Sequence, residues 1–148
     1  MLRAKKRSGR WYSRKRHFET QRALALTRDG ITCRICGESM QCPPDENGRT
    51  VVLAHAHHWI AERWVRRFLK GADPHILANL GAVHPGCHAK ATAVEPMLFA
   101  GNWVGFVDGM RHIGVDPHTV TAALSALSAD ADAKKERKCQ RTTTKTTE

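Results

Sequence analysis

Long apolar runs are absent from this 148-residue chain. Nothing approaches the roughly 18 consecutive apolar residues of a membrane span, and the amino terminus carries charge where a secretion signal needs an apolar stretch. A soluble, cytoplasmic protein is expected. Acid is also missing at the start: eight cations (Arg3, Lys5, Lys6, Arg7, Arg10, Arg14, Lys15 and Arg16) precede Glu19. The net charge of +10 is concentrated there, because the remaining 16 cations face 14 acids. A basic arm on a nearly neutral body is the electrostatic footprint of a protein that meets phosphate backbones; a solvated, solubilising tail is the plainer alternative. An even cysteine set is lacking too. Five cysteines cannot all pair, and reduced cytosolic thiols seldom build disulfide frameworks, so metal ligation is the better reading. No internal repeat is present.

What remains reads as helices around a short strand. Trp11 to Arg28 spaces Phe18, Ala23, Leu24 and Leu26 among charges as an amphipathic helix, and Asp29-Gly30 stops it. Residues 39–50 are rich in Pro, Asp, Asn and Gly and should be loop, whereas Thr50 to Leu53 reads as a short strand leading into a histidine cluster. Trp59, Ile60, Trp64, Val65, Phe68 and Leu69 fall at helical spacing, with Arg63, Arg66, Arg67 and Lys70 between them. A further helix should run from near Pro85 through Thr92, then a partly apolar stretch to Val107, and a last helix over Pro117 to Leu127. Residues 1–10 and 128–148 lack apolar periodicity and are expected to be a disordered basic arm and a disordered polar tail around one domain, 11–127.

The chemistry is concentrated in the middle. Six of the nine histidines lie between positions 33 and 88, together with Cys33, Cys36 and Cys87. Cys33-Arg34-Ile35-Cys36 sets two thiolates at zinc-knuckle spacing, and His84-Pro85-Gly86-Cys87 sets an imidazole and a thiolate at the same spacing. Together they make a tetrahedral Cys3His zinc set. His57, His58 and His88 are left over. Neighbours on a strand point to opposite faces, so His57 and His58 cannot both ligate one ion. One of them can bind a divalent cation jointly with His88 while the other serves as general base. His55 competes, because His55-x-His57 would share a strand face. His75, beside Pro74 in a turn, reads as surface.

Arg28-Asp29-Gly30-Ile31-Thr32-Cys33-Arg34-Ile35-Cys36-Gly37, then His57-His58-Trp59-Ile60, then Asn79-Leu80-Gly81-Ala82-Val83-His84-Pro85-Gly86-Cys87-His88-Ala89-Lys90 resembles the HNH endonucleases, especially the small zinc-bearing ones of bacteriophages and bacteria. The resemblance covers about residues 22–95 and implies an α+β protein with a ββα-metal (His-Me finger) core, a structural zinc knuckle pair and flanking helices. Carried over by position, His58 resembles the general base, His57 and His88 the ligands of the catalytic cation, and Asn79 the residue that braces the loop bearing the base. The implied cofactors are a structural zinc ion and a catalytic Mg, Mn, Ni or Zn ion. The implied partner is DNA, met through Arg3, Lys5, Lys6, Arg7, Arg10, Arg14, Lys15, Arg16, Arg63, Arg66, Arg67 and Lys90. Family context further suggests a bacterial host cell, a phage genome and a role beside the packaging terminase.

This sequence departs from the pattern in three places. His84 stands where a cysteine is usual, which makes zinc binding more sensitive to acid. His57 stands where an aspartate is common, which favours transition ions such as Mn, Ni or Zn. The segment from Trp59 to Lys70 lengthens the interval between His58 and Asn79. Two other readings stand beside the enzyme: a non-catalytic zinc-stabilised DNA-binding module, and a nuclease serving as toxin or defence effector.

Overall fold

The computed structural model describes residues 9–143, with side chains from Ser13 to Arg141. The protein is α+β and mostly helical. Helix α1 (Gly9–Asp29) leads through a loop to strand β1 (His55–His58), helix α2 (Glu62–Phe68), a 3-10 turn at Leu77–Asn79 and strand β2 (Leu80–Val83). Helices α3 (Pro85–Phe99), α4 (Trp103–His112) and α5 (Pro117–Thr143) follow. The two strands pair antiparallel, with His55 opposite Val83, His57 opposite Gly81 and His58 opposite Leu80. Pro85 then opens α3 at once, its missing N–H costing nothing in a first helical turn. No helix among the described residues is long and apolar enough to cross a membrane.

All four residues of β2 are buried. Around them pack Ile35, Met40, Trp59, Ile60, Val65 and, from the later helices, Ala91, Phe106, Met110 and Leu127. Helix α1 is fastened to this sheet by charge. Arg28 and Asp29 form a forked pair at 2.7 and 2.8 Å, Arg28 also donates to the carbonyls of Leu77 and Leu80, and Asp29 accepts the Ala82 N–H at 2.8 Å. One dipeptide thereby satisfies backbone groups in and just after the 3-10 turn that carries Asn79.

Several boundaries differ from those the sequence suggests. Thr50 to Leu53 is not a strand; Val51, Val52 and Leu53 are exposed, Val52 makes only an isolated bridge to Gln41, and the strand proper is the histidine run itself. Trp59 and Ile60 enter the core in a bend after β1, so α2 starts only at Glu62. Helix α3 continues past Thr92 to Phe99, and the stretch after it is a helix, α4, where Asn102 caps the first turn by accepting from Gly105 N–H. The largest correction concerns the tail. Residues 128–143 continue α5 instead of being disordered, because Val120, Ala123, Leu127 and Ala131 form one buried stripe at helical spacing. At the other end α1 begins at Gly9, so the helix takes in the last two residues assigned to the basic arm. Residues 1–8 and 144–148 of the expected arm and tail lie outside the described residues.

Candidate metal centre and histidine clusters

Two knuckles face each other. In the first, the Cys33 N–H donates to Glu38 O and the Gly37 N–H to Cys33 O, a tight turn that needs the left-handed φ of +74° at Gly37. The second is the strand-to-helix corner of β2 and α3. Arg34 N–H donates to Ala82 O and ties the two together. One donor atom each from Cys33, Cys36, His84 and Cys87 falls within 4.8 Å of all the others. The Cys36 sulfur is 3.3 Å from His84 Nδ1, and His84 Nε2 lies 3.0 Å from the Ser39 carbonyl. With its N–H given to that carbonyl, His84 must present the Nδ1 lone pair to the sulfurs, the outer-shell arrangement that fixes a ligand's tautomer.

Burial pushes Cys33 up, but backbone N–H groups of Cys36, His84 and Ile35 outweigh it and bring the thiol down to about 6. Cys87 goes the opposite way, to about 12, through burial and through the neighbouring sulfurs of Cys36 and Cys33. Three sulfurs crowded together resist becoming three anions unless a dication sits among them. The cluster could hold a zinc ion, and Cys3His with these spacings is a structural-type donor set.

His55, His57, His58, His75 and His88 divide between the faces of β1. On one face His57 is buried, its ring edge-on to Trp59 at 5.5 Å and to His88 at 5.1 Å between centroids. Burial, then the imidazoles of His88 and His58, push His57 down to about 3. The structure thus brings together the two expected cation ligands, one from β1 and one from the first turns of α3. His55 joins them, with Nδ1 3.2 Å from His88 Nδ1. The strand alternation that made it a competitor puts it on this face.

On the other face His58 Nε2 lies 3.0 Å from His75 Nδ1. Burial, then His75, lower His58 to about 4, with Glu62 acting in the opposite sense. Phe18 of α1 stacks on His58 at 5.7 Å and 15° and touches His75 at 4.7 Å. His75 is the residue that sequence reasoning missed. Expected on the surface, it is only 8 % exposed. Its turn is folded inward by the Asp73 N–H donating to Asp130 of α5, by His17 on Asp73 at 2.6 Å, and by Asn79 on the Pro74 carbonyl. Asp130 and His17 are 57 and 56 positions from Asp73, so the contacts that fold the turn inward leave no local signal. Asn79 itself is fully buried, accepts the Ile60 N–H and donates to the Ile60 and Pro74 carbonyls.

The cations are scattered. Arg14, Lys15 and Arg16 are exposed on α1, and Arg63, Arg66, Arg67 and Lys90 on α2 and α3. Arg66 is held by Glu62 at 2.7 Å, while Arg63 and Arg67 lie over the Phe99 and Phe68 rings. Arg3, Lys5, Lys6 and Arg7 fall outside the described residues, and Arg10 is placed only as part of the α1 backbone. Compared with family models, curated proteins and solved structures, the chain gives no match.

Proposed function

We propose that the protein is a metal-dependent DNA endonuclease of the HNH type, with a ββα-metal core stabilised by zinc. The observation that carries this reading is the convergence of His57 and His88, ring to ring at 5.1 Å across the β1–α3 corner, next to a turn braced by Asn79. A zinc-stabilised binding module has no need of either feature. Cys33, Cys36, His84 and Cys87 fit zinc and hold the two knuckles. His57 and His88 fit a divalent transition ion, since both are imidazoles kept neutral by burial. Such an ion, when bound, neutralises charge on phosphate oxygens.

The chain's own residues do the rest. His58 is neutral at pH 7 and, in the tautomer that gives its Nε2–H to His75, carries its lone pair on Nδ1, where it can take a proton from water. Asn79 keeps the peptide after His58 and Trp59 in place through Ile60. Exposed cations of α1, α2 and α3 meet the DNA backbone, so little sequence selectivity is expected. Cleavage of supercoiled plasmid by the zinc-loaded protein, with and without EDTA and across Mg, Mn, Ni and Zn, tests the proposal. Metal-dependent nicking or cutting is the expected result. Its absence, alongside DNA binding, would return the chain to the binding-module reading.

A further inference from the structure

Glu62 joins His58 and His75 on the face of β1 away from His57. One donor atom from each of the three lies within 4.8 Å of the other two. We propose that His58, Glu62 and His75 form a second divalent-cation site, distinct from the Cys3His cluster and from the His57 and His88 pair.

A direct hydrogen bond between imidazoles would account for the 3.0 Å separation of His58 Nε2 and His75 Nδ1. It does not account for Glu62. The Glu62 carboxylate is 3.9 Å from His75 Nε2, too far for a hydrogen bond. The 3.0 and 3.9 Å distances use opposite nitrogens of His75, of which an ion takes one; with one donor atom from each residue the three lie within 4.8 Å of one another, close to the roughly 3 to 4 Å between atoms that each sit about 2.1 Å from one ion. Two imidazoles and one carboxylate suit zinc, cobalt, nickel or manganese, and three protein ligands leave room for water.

The three residues also come from separate segments: the end of β1, the first turn of α2 and the turn ahead of Asn79. Each is aimed by a partner of its own. Arg66 grips the Glu62 carboxylate at 2.7 Å, Asp73 accepts the backbone N–H of His75 at 3.0 Å and so fixes the turn that carries the ring, and the Phe18 ring lies flat against His58. Outer-shell support of this sort is what holds ligands ready for an ion. Helix α5 contributes as well, since Asp130 fixes the Asp73 backbone.

Occupation has a consequence that rests on the nuclease reading above. A neutral imidazole has a single lone-pair nitrogen. An ion on Nε2 of His58 moves the remaining proton to Nδ1 and leaves no acceptor for water, so filling this site opposes cleavage. Excess zinc would then inhibit the enzyme that a lower concentration of Mn or Ni activates.

Cobalt binding decides the matter without reference to activity. Full-length protein carrying zinc in the Cys3His cluster, with both His57→Ala and His88→Ala to remove the other pair, is titrated with Co2+. Visible d–d absorption and equilibrium dialysis should report one equivalent bound through nitrogen and oxygen, with no thiolate charge-transfer band. Adding His75→Ala should abolish it. Glu62→Gln, at a partly exposed position that tolerates change, should weaken it at least as much as the roughly 10- to 100-fold that loss of an outer-shell partner costs. Zinc content and circular dichroism check each variant, and Glu62→Gln carries the test if His75→Ala does not fold. No bound cobalt, or cobalt indifferent to both substitutions, would overturn the site. Absence of plasmid cleavage would overturn the nuclease reading and leave the site standing.

Discussion

Asn79 holds both backbone groups of Ile60, accepting its N–H at 2.8 Å and donating to its carbonyl at 3.0 Å. A third bond, to the Pro74 carbonyl at 2.9 Å, reaches the turn that carries His75. One fully buried amide therefore ties together the segments on which His58 and His75 sit. Asn79→Ala removes three hydrogen bonds and strands three backbone groups in the core, at about 1 kcal/mol for each bond and more for unsatisfied partners. A loss of about 3 kcal/mol in urea unfolding is expected. A loss below about 1 kcal/mol would mean that water or a neighbouring group replaces the amide.

The Cys3His cluster should contain one zinc ion per chain, measured on purified protein by elemental analysis. Structural zinc contributes on the order of 10 to 16 kcal/mol in small domains, so Cys36→Ser or prolonged chelation should unfold the β1–β2–α3 region. His84→Cys should fold, because it keeps a ligand at the same corner, although it gives up the Ser39 hydrogen bond. A folded, zinc-free Cys36→Ser protein would remove the cluster from the account of stability.

How far the sequence foretold this arrangement depends on whether the signal was local. Cys33 to Cys36 and His84 to Cys87 are spacings within single turns, and the structure brings all four together as those spacings imply. Strand alternation likewise anticipated that His57 and His58 would face opposite ways. The failures are tertiary. His75 was buried by Asp73, Asp130 and Phe18, residues 2, 55 and 57 positions away. The polar composition after Ser128 concealed the Ala131 end of a stripe whose other members are up to 11 residues earlier, so α5 was cut short.

Gly81 faces His57 across the sheet, and a Cβ there would overlap the indole of Trp59. Both Trp59 and β2 are buried, so the ring has little room to retreat. Gly81→Ala should cost about 1 to 3 kcal/mol, the usual range for overpacking a core. Tryptophan fluorescence should change with it, because Trp59 must move, and the His57 ring beside it moves too. An unaltered emission spectrum and unaltered stability would show that the β1–β2 pair can shift to absorb a methyl group.

The Asp29 side chain is 1 % exposed. Burial pushes its pKa up, but the Arg28 hydrogen bond, the Ala82 N–H and the Arg28 charge outweigh it, and the net direction is down. A carboxylate with a lowered folded-state pKa contributes stability that is complete above its ordinary value of roughly 4 and is lost as pH falls through the lowered one. Asp29→Asn should thus be destabilised by a constant amount, about 2 kcal/mol for a hydrogen-bonded charged group, from pH 8 to about pH 5. The gap should close only below that. Because the zinc ligands also protonate in acid, the comparison is between the two proteins at each pH. A gap that closes near neutrality would point to a histidine partner in place of Arg28.

If His58 moves a proton while His57 and His88 hold a cation, the two kinds of loss should be separable. His58→Ala should keep zinc content and DNA affinity, yet cleave more slowly by about 10² to 10⁴, the range ascribed to a positioned general base. His88→Ala should be comparably slow for another reason. Its ring is half-buried against His57 and His55, and without it the cation has lost a ligand, so Mn or Ni raised to levels below those that fill the His58, Glu62 and His75 cluster should restore part of the rate. No concentration of metal can restore a missing base. His55, 3.2 Å from His88, supplies the control within the same face. His55→Ala should weaken metal dependence mildly if it supports His88, and should match His88→Ala if it is itself a ligand. Rescue of His58→Ala by metal, with DNA affinity unchanged, would move His58 from base to ligand and place the base elsewhere.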